Sequence, residues 1–275
     1  MTRTWLSSLF LAALLHCVGA GVAVADLARL AQTASCLIVE SEVVELSSPA
    51  QGTIDQLMIA EGDSVRTGDL VAELEAGVER ATLAAARARA ESDVPDRARA
   101  RELDAATTRL ERQQSLRRRN VVADQVVEDA ETEAALAALA AEEAAFNRTL
   151  ADLEVNRAAA ALERRRVVSP LDGVVTDIRR RAGEYVDAAN PVAVIAAVNP
   201  LNVEVYLPLD AYPLVEPGMA ATIAPQDPIG GQFSVTVDSR SPIVDAASGL
   251  FRIRLTLNNP GNQIPAGIRC TIAFD

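Results

Sequence analysis

The chain has 275 residues, 49% hydrophobic but only 3% aromatic, a balance that excludes a disordered polypeptide and a single large aromatic-packed core. A net charge of −12 and a pI near 4.7 exclude a nucleic-acid partner, which needs a basic surface. All 26 basic residues are Arg and the lone histidine is His16, so a chain stripped of its leader has no His for general-base catalysis or metal ligation.

The first 26 residues read MTRTWLSSLFLAALLHCVGAGVAVAD. Arg3 gives a basic start, Trp5 to Val18 an apolar run, and Ala23-Val24-Ala25 an A-x-A cleavage site. This predicts a signal peptide over 1–25 and an exported chain. The alternative is an uncleaved anchor, for which the run is short. Cys36 and Cys270 remain, one near each end. In an oxidising compartment they form either a disulfide or two buried thiols.

Residues 62–78 read GDSVRTGDLVAELEAGV. Gly62-Asp63, Val65, Gly68 and Leu70 follow the spacing of biotin-carrier and lipoyl domains, which this stretch resembles. Those domains carry their cofactor on a Lys, and Val78 stands where it belongs. With no Lys in the chain and Arg unable to form that amide, the swinging-arm reading falls and no cofactor is expected.

The stretch has a second copy. SPAQGTIDQLMIAEGDSVRTGDLVAEL from Ser48 aligns without a gap with SPLDGVVTDIRRRAGEYVDAANPVAVI from Ser169. Pro49 matches Pro170, Gly52 matches Gly173 and Gly62 matches Gly183, so the turns match as well as the apolar pattern. One copy supplies about four short strands, too few to close a core. Two copies form a small β-sandwich, predicted over 36–75 and 167–198.

Residues 76–166 between the copies are rich in Ala, Glu, Arg and Leu, with no Gly after Gly77. This is helix composition. Leu103 and Leu110 stand seven apart, as do Leu139, Phe146, Leu153 and Ala160, a spacing that predicts paired helices. Asn120 ends the first arm and Asp124 or its neighbour caps the second. The tip then falls at about 117–124, and Pro95 kinks or restarts the first arm. The hairpin holds 16 Arg and 17 acids, a mixture that suits lateral packing against sibling hairpins. Arg117-Arg118-Arg119 at the tip reads either as a docking contact for an acidic rim or as a solvated helix end suited to the dipole. Five short strands punctuated by Pro and Gly follow within 199–275 and predict a small antiparallel β-barrel.

The fold class expected is therefore mainly β with a long α-helical hairpin: a split lipoyl-like (barrel-sandwich hybrid) module, interrupted by an antiparallel coiled coil and followed by a β-barrel. Carried by SPAQGTI, EGDSVRTGDLVAEL, SPLDGVV, GEYVDAANPVAVI and DAASGLFRIRLTLNNPGNQIPAGIRCTIAF, the chain resembles the HlyD/RND-type periplasmic adaptors, or membrane fusion proteins. The resemblance implies a non-enzymatic subunit linking an inner-membrane RND or ABC transporter to an outer-membrane channel, assembled as a homo-oligomer, typically a hexamer. The remaining alternative is a structural coiled-coil protein without transport. RND-linked relatives carry a tip pattern of Arg, Leu four on and Ser seven further on. Arg112 and Leu116 fit, and the third place is Ala123. Partner binding is accordingly expected at Arg112, Leu116, Arg117, Arg118, Arg119 and Ala123. The family's membrane-proximal domain is expected to be absent or minimal. Met58 and Met219 lie far apart after the leader, so no soft-metal site is expected.

Overall fold

The computed structural model describes residues 34–274, so the expected leader lies outside the described residues. Among the described residues twelve strands and three α-helices follow one another, with two short 3-10 turns between the later strands. β1 (Ser35–Leu46), β2 (Gly52–Leu57), β3 (Ser64–Val65) and β4 (Leu70–Leu74) lead into α1 (Gly77–Ala90), α2 (Val94–Arg118) and α3 (Asp124–Glu163). β5 (Arg166–Val168), β6 (Gly173–Ile178), β7 (Tyr185–Val186) and β8 (Ala193–Pro208) return to the β-sheets, and β9 (Ala220–Pro225), β10 (Phe233–Val244), β11 (Leu250–Leu257) and β12 (Ile268–Phe274) follow.

The two sequence copies interlock. β2 of the first pairs with β7 of the second, Gly52 opposite Val186, while β3 pairs with β6, Val65 opposite Gly173. The backbone bonds repeat the exchange: Gly62 N–H donates to Val175 O at 2.8 Å, and Gly183 N–H donates to Ile54 O at 2.8 Å. Gly62 and Gly183 hold φ of 90° and 87°, a region that disfavours side chains with a Cβ. Within a copy β2 pairs with β4 and β6 with β8, but the two-residue strands β3 and β7 pair only with the other copy, so the exchange satisfies their backbone groups. The core between the two layers is small and aliphatic, with Ile54, Val71, Leu74, Val186, Val192 and Ile195 buried.

β1, β12, β9, β10, β11 and β8 pair in that order, and β8 pairs with β1 again, closing a six-stranded antiparallel barrel. Its strands alternate inward and outward residues, as period-two side-chain geometry requires. Val203, Val205 and Leu207 of β8 meet Ile253 and Leu255 of β11 in the interior. Phe251 is fully buried there, with Tyr212 edge-on at 5.1 Å. Closure leaves no exposed sheet edge at this end. β1 serves both units: its start pairs with β12 in the barrel and its end with the first half of β8 in the module. Cys36 and Cys270 are opposite each other in the β1–β12 register and joined as a disulfide.

α1 and α2 form one arm of the hairpin, and α3 is the other. The first arm breaks at 91–93, just before Pro95 in the first turn of α2, where a missing N–H costs nothing. α3 is unbroken over 40 residues, about 60 Å at 1.5 Å per residue. Its inward positions are Val127, Ala130, Ala144, Ala151 and Ala158, all buried. Ala130, Ala144, Ala151 and Ala158 are separated by whole heptads and Val127 lies three before the first, the spacing of a coiled-coil seam. Leu103 and Leu110 of α2 are half-buried against this seam. The heptad of Leu139, Phe146 and Leu153 instead faces solvent. The small Ala faces allow close backbone approach and so take the inner seam, leaving the bulky series outside.

The hairpin base is clamped by the arginines that close α3. Arg164 donates to Pro49 O at 2.7 Å and Arg165 to Gln51 O at 2.8 Å. Arg165 also pairs with Glu79 in the first turn of α1, both side chains largely covered. Burial pushes the Glu79 carboxyl up. Its own backbone N–H and the Arg165 guanidinium outweigh this and hold it below the usual carboxylate range.

Candidate docking site at the hairpin tip

α2 ends in a pattern set by Asn120, which takes the left-handed conformation at φ 55°. Val121 N–H donates to Leu116 O at 3.0 Å and Asn120 N–H to Arg117 O at 2.8 Å, the two bonds of a Schellman motif. Asn tolerates this conformation better than other residues with a Cβ. α3 starts at Asp124 after the extended Ala123, which offers no side-chain cap. Asp124 instead pairs with Arg117 across the turn at 2.7 Å and places a negative charge at the helix N-terminus.

The side chains named from the sequence divide over two sides of this turn. Arg117 and Arg118 line a shallow groove of about 370 Å³ with Gln114, Asn120, Val127 and Glu131. Arg112, Leu116, Arg119 and Ala123 do not line it. Arg112, Arg119 and Ala123 are exposed, and Leu116 is half-covered. Among the described residues Arg118 and Arg119 enter no ion pair, so two guanidinium groups stand free beside the exposed Val121. Charge and an apolar contact at the extreme end of a long arm suit a polar protein rim with acidic groups.

Gln114, Val127 and Glu131 of the groove were missed in the sequence. Val127 starts the inner seam three residues before Ala130, and that seam alone could have located it. Arg179 and Arg180, in the arginine run of the second copy, have internal partners. Arg179 pairs with Asp177 at 2.8 Å and approaches Glu45 at 3.5 Å, and Arg180 donates to Asn190. Among the described residues no cluster of His, Cys, Asp or Glu could hold a metal ion, and no helix is long and apolar enough to cross a membrane.

The model of the barrel-sandwich hybrid domain of RND membrane fusion proteins matches residues 42–198. An uncharacterized protein of Haemophilus influenzae is 24% identical over 224 residues, covering 81% of this chain and 52% of that protein. The UPF0194 membrane protein in the asrC 5' region of Acidithiobacillus ferridurans is 30% identical over 136 residues, covering 44% of this chain and 40% of that protein. The chain thus spans about half the length of the curated relatives it matches. The crystal structure of MacA from Actinobacillus actinomycetemcomitans superposes with a TM-score of 0.75 at 20% identity, covering 88% of this chain and 76% of that one, a likeness of fold. Interlocked β-halves, the hairpin they carry and a domain match over more than half the length lead to one conclusion: the chain belongs to the RND membrane fusion protein family.

Proposed function

We propose that the protein is a periplasmic adaptor subunit of a tripartite efflux pump. It seats on an inner-membrane RND-type transporter through its barrel and reaches an outer-membrane channel with its hairpin tip. The observation that carries this reading is the two-ended geometry. Both arms of the hairpin leave and re-enter the β-module, so the tip stands about 60 Å from the module on which the closed barrel is built. The function is mechanical rather than chemical. Several copies surround a conduit, with the hexamer as the family's usual number, and the chain is exported by a cleaved signal peptide.

Photocrosslinking in cells from Val121 and, separately, from Ile243 tests this. Val121 is 65% exposed at the tip and Ile243 is 77% exposed on the barrel. An outer-membrane channel from the first and an RND transporter from the second are the expected adducts. A transporter with ATP-binding domains at Ile243 would redirect the reading to an ABC-type exporter. Adducts to neither membrane's proteins would leave a coiled-coil protein without a transport role and end the proposal.

A further inference from the structure

α3 carries a second heptad series on the side opposite its alanine seam. Leu136, Leu139, Glu143, Phe146, Leu150 and Leu153 recur at alternating spacings of three and four residues. The five apolar members are all exposed, Leu136 and Phe146 by 62%. Among the described residues no element covers this stripe, since α1 and α2 pack on the inner seam. Surface leucines occur singly on most proteins; a ladder of five with coiled-coil spacing marks an interface.

The solvent face of α2 supplies a counterpart. Val94, Ala98, Arg101, Ala105 and Thr108 recur at the same alternating spacing, and all are exposed. Cross-arm ion pairs fix the relative heights of the two helices: Arg109 faces Glu133 and Asp96 faces Arg148. Interpolation between these pairs brings each within about two residues of a member of the α2 ladder: Leu136 and Leu139 near Thr108 and Ala105, Glu143 near Arg101, Phe146 near Ala98, and Leu150 near Val94. Bulky residues on one face thus meet small or apolar residues on the other. The one charged member of the α3 ladder meets the one charged member of the α2 ladder. Among the described residues neither Glu143 nor Arg101 has a salt-bridge partner.

The charges of the arms choose between modes of pairing. α3 holds ten acids and two Arg, whereas α2 holds seven Arg and four acids. Two α3 faces would repel each other, whereas α3 against α2 attracts. The two outer faces lie on opposite sides of the hairpin, so the contact is head-to-tail and repeats from copy to copy. We infer that the Leu136–Leu153 face of α3 packs, without vertical stagger, on the Val94–Thr108 face of α2 in a second copy. The inference rests on the assembly reading above and assigns its surface, register and polarity.

Sedimentation velocity of the full chain over a concentration series, with charge-swap variants, tests it. Glu143→Arg should weaken self-association about tenfold, and Arg101→Glu similarly, as for central charges of an interface. The double variant should recover to within about threefold of the wild type, because the pair is restored in reverse. Phe146→Ala should weaken association at least about tenfold. These positions are exposed, so helix content and melting of the monomer should not change. Association that ignores Glu143→Arg and Phe146→Ala, or a double variant no better than the single ones, overturns the surface and register while leaving the assembly reading intact. A wild-type chain that stays monomeric throughout, alone and with extracted transporter and channel, overturns both.

Discussion

Gly173 and Gly52 occupy the same place in the two copies of the repeat, yet alanine should act differently at each. At Gly173 a Cβ would lie 2.5 Å from the carbonyl oxygen of Ala196 and 2.9 Å from its carbon, both backbone atoms of β8. Relieving that contact to even 3.0 Å requires the paired strands to part by about 0.5 Å. Overpacking of this kind costs ~1–3 kcal/mol. Reduced freedom of the unfolded chain returns ~0.4–1 kcal/mol, so Gly173→Ala should destabilise the module by ~1–2 kcal/mol. At Gly52 the nearest atom is Arg165 Nη1 at 2.7 Å, the far end of a flexible side chain, and the next lies at 3.7 Å. The guanidinium can swing away, giving up its bond to Gln51 O at ~1 kcal/mol, which the same unfolded-chain effect nearly cancels. Hydrogen exchange in peptides covering 173–178 and 193–198, with chemical denaturation followed by circular dichroism, measures the difference. A loss for Gly52→Ala equal to or larger than that for Gly173→Ala would refute the reasoning.

Two further predictions concern the covalent tie and the clamp. Alkylation of the denatured, unreduced protein should leave Cys36 and Cys270 unmodified in peptide mass spectra. Cys270→Ser should then cost ~2–4 kcal/mol, given the long loop the bond closes, and should raise exchange along β1 and β12 while leaving α3 unchanged. The Glu79–Arg165 clamp should depend on acid. The folded-state pKa of Glu79 is depressed, so its contribution is present above the unfolded carboxyl value of ~4.3 and is lost as pH falls through the folded value. The stability difference between wild type and Glu79→Gln, measured across an acid titration, should shrink through that window; a difference that grows toward low pH would contradict the assignment.

The interlocked module was legible because turn residues are stereochemically specific. Gly62 and Gly183 sit at equivalent positions and take the same φ within a few degrees. The strand exchange was not legible, since a repeat states that two halves are alike and not which strand of one pairs with which of the other. In the hairpin, seven-residue spacing correctly indicated paired helices but described two faces of α3 at once. Bulk favoured reading Leu139, Phe146 and Leu153 as the inner contact, whereas Ala130, Ala144 and Ala151 take it. Counting charge over the whole hairpin gave near neutrality and concealed the opposite signs of its arms. At the tip, Arg117 and Arg118 were named from an arginine run at the expected turn, and both line the groove. The rest of its lining depends on how two helices face each other across a turn, which short motifs do not encode.

β8 runs without interruption from the module into the barrel, and β1 pairs along nearly all of it, from Ser35 opposite Tyr206 to Leu46 opposite Ala193. The two units are therefore built on a common beam rather than joined by a flexible linker. Force applied to the barrel enters the hairpin base directly, where Arg164 and Arg165 tie α3 to the module. With an arm of about 60 Å, a rocking of the barrel by ~5° displaces the tip by ~5 Å, roughly one helical turn. A small rotation of the barrel thereby becomes a stroke of side-chain size at the tip.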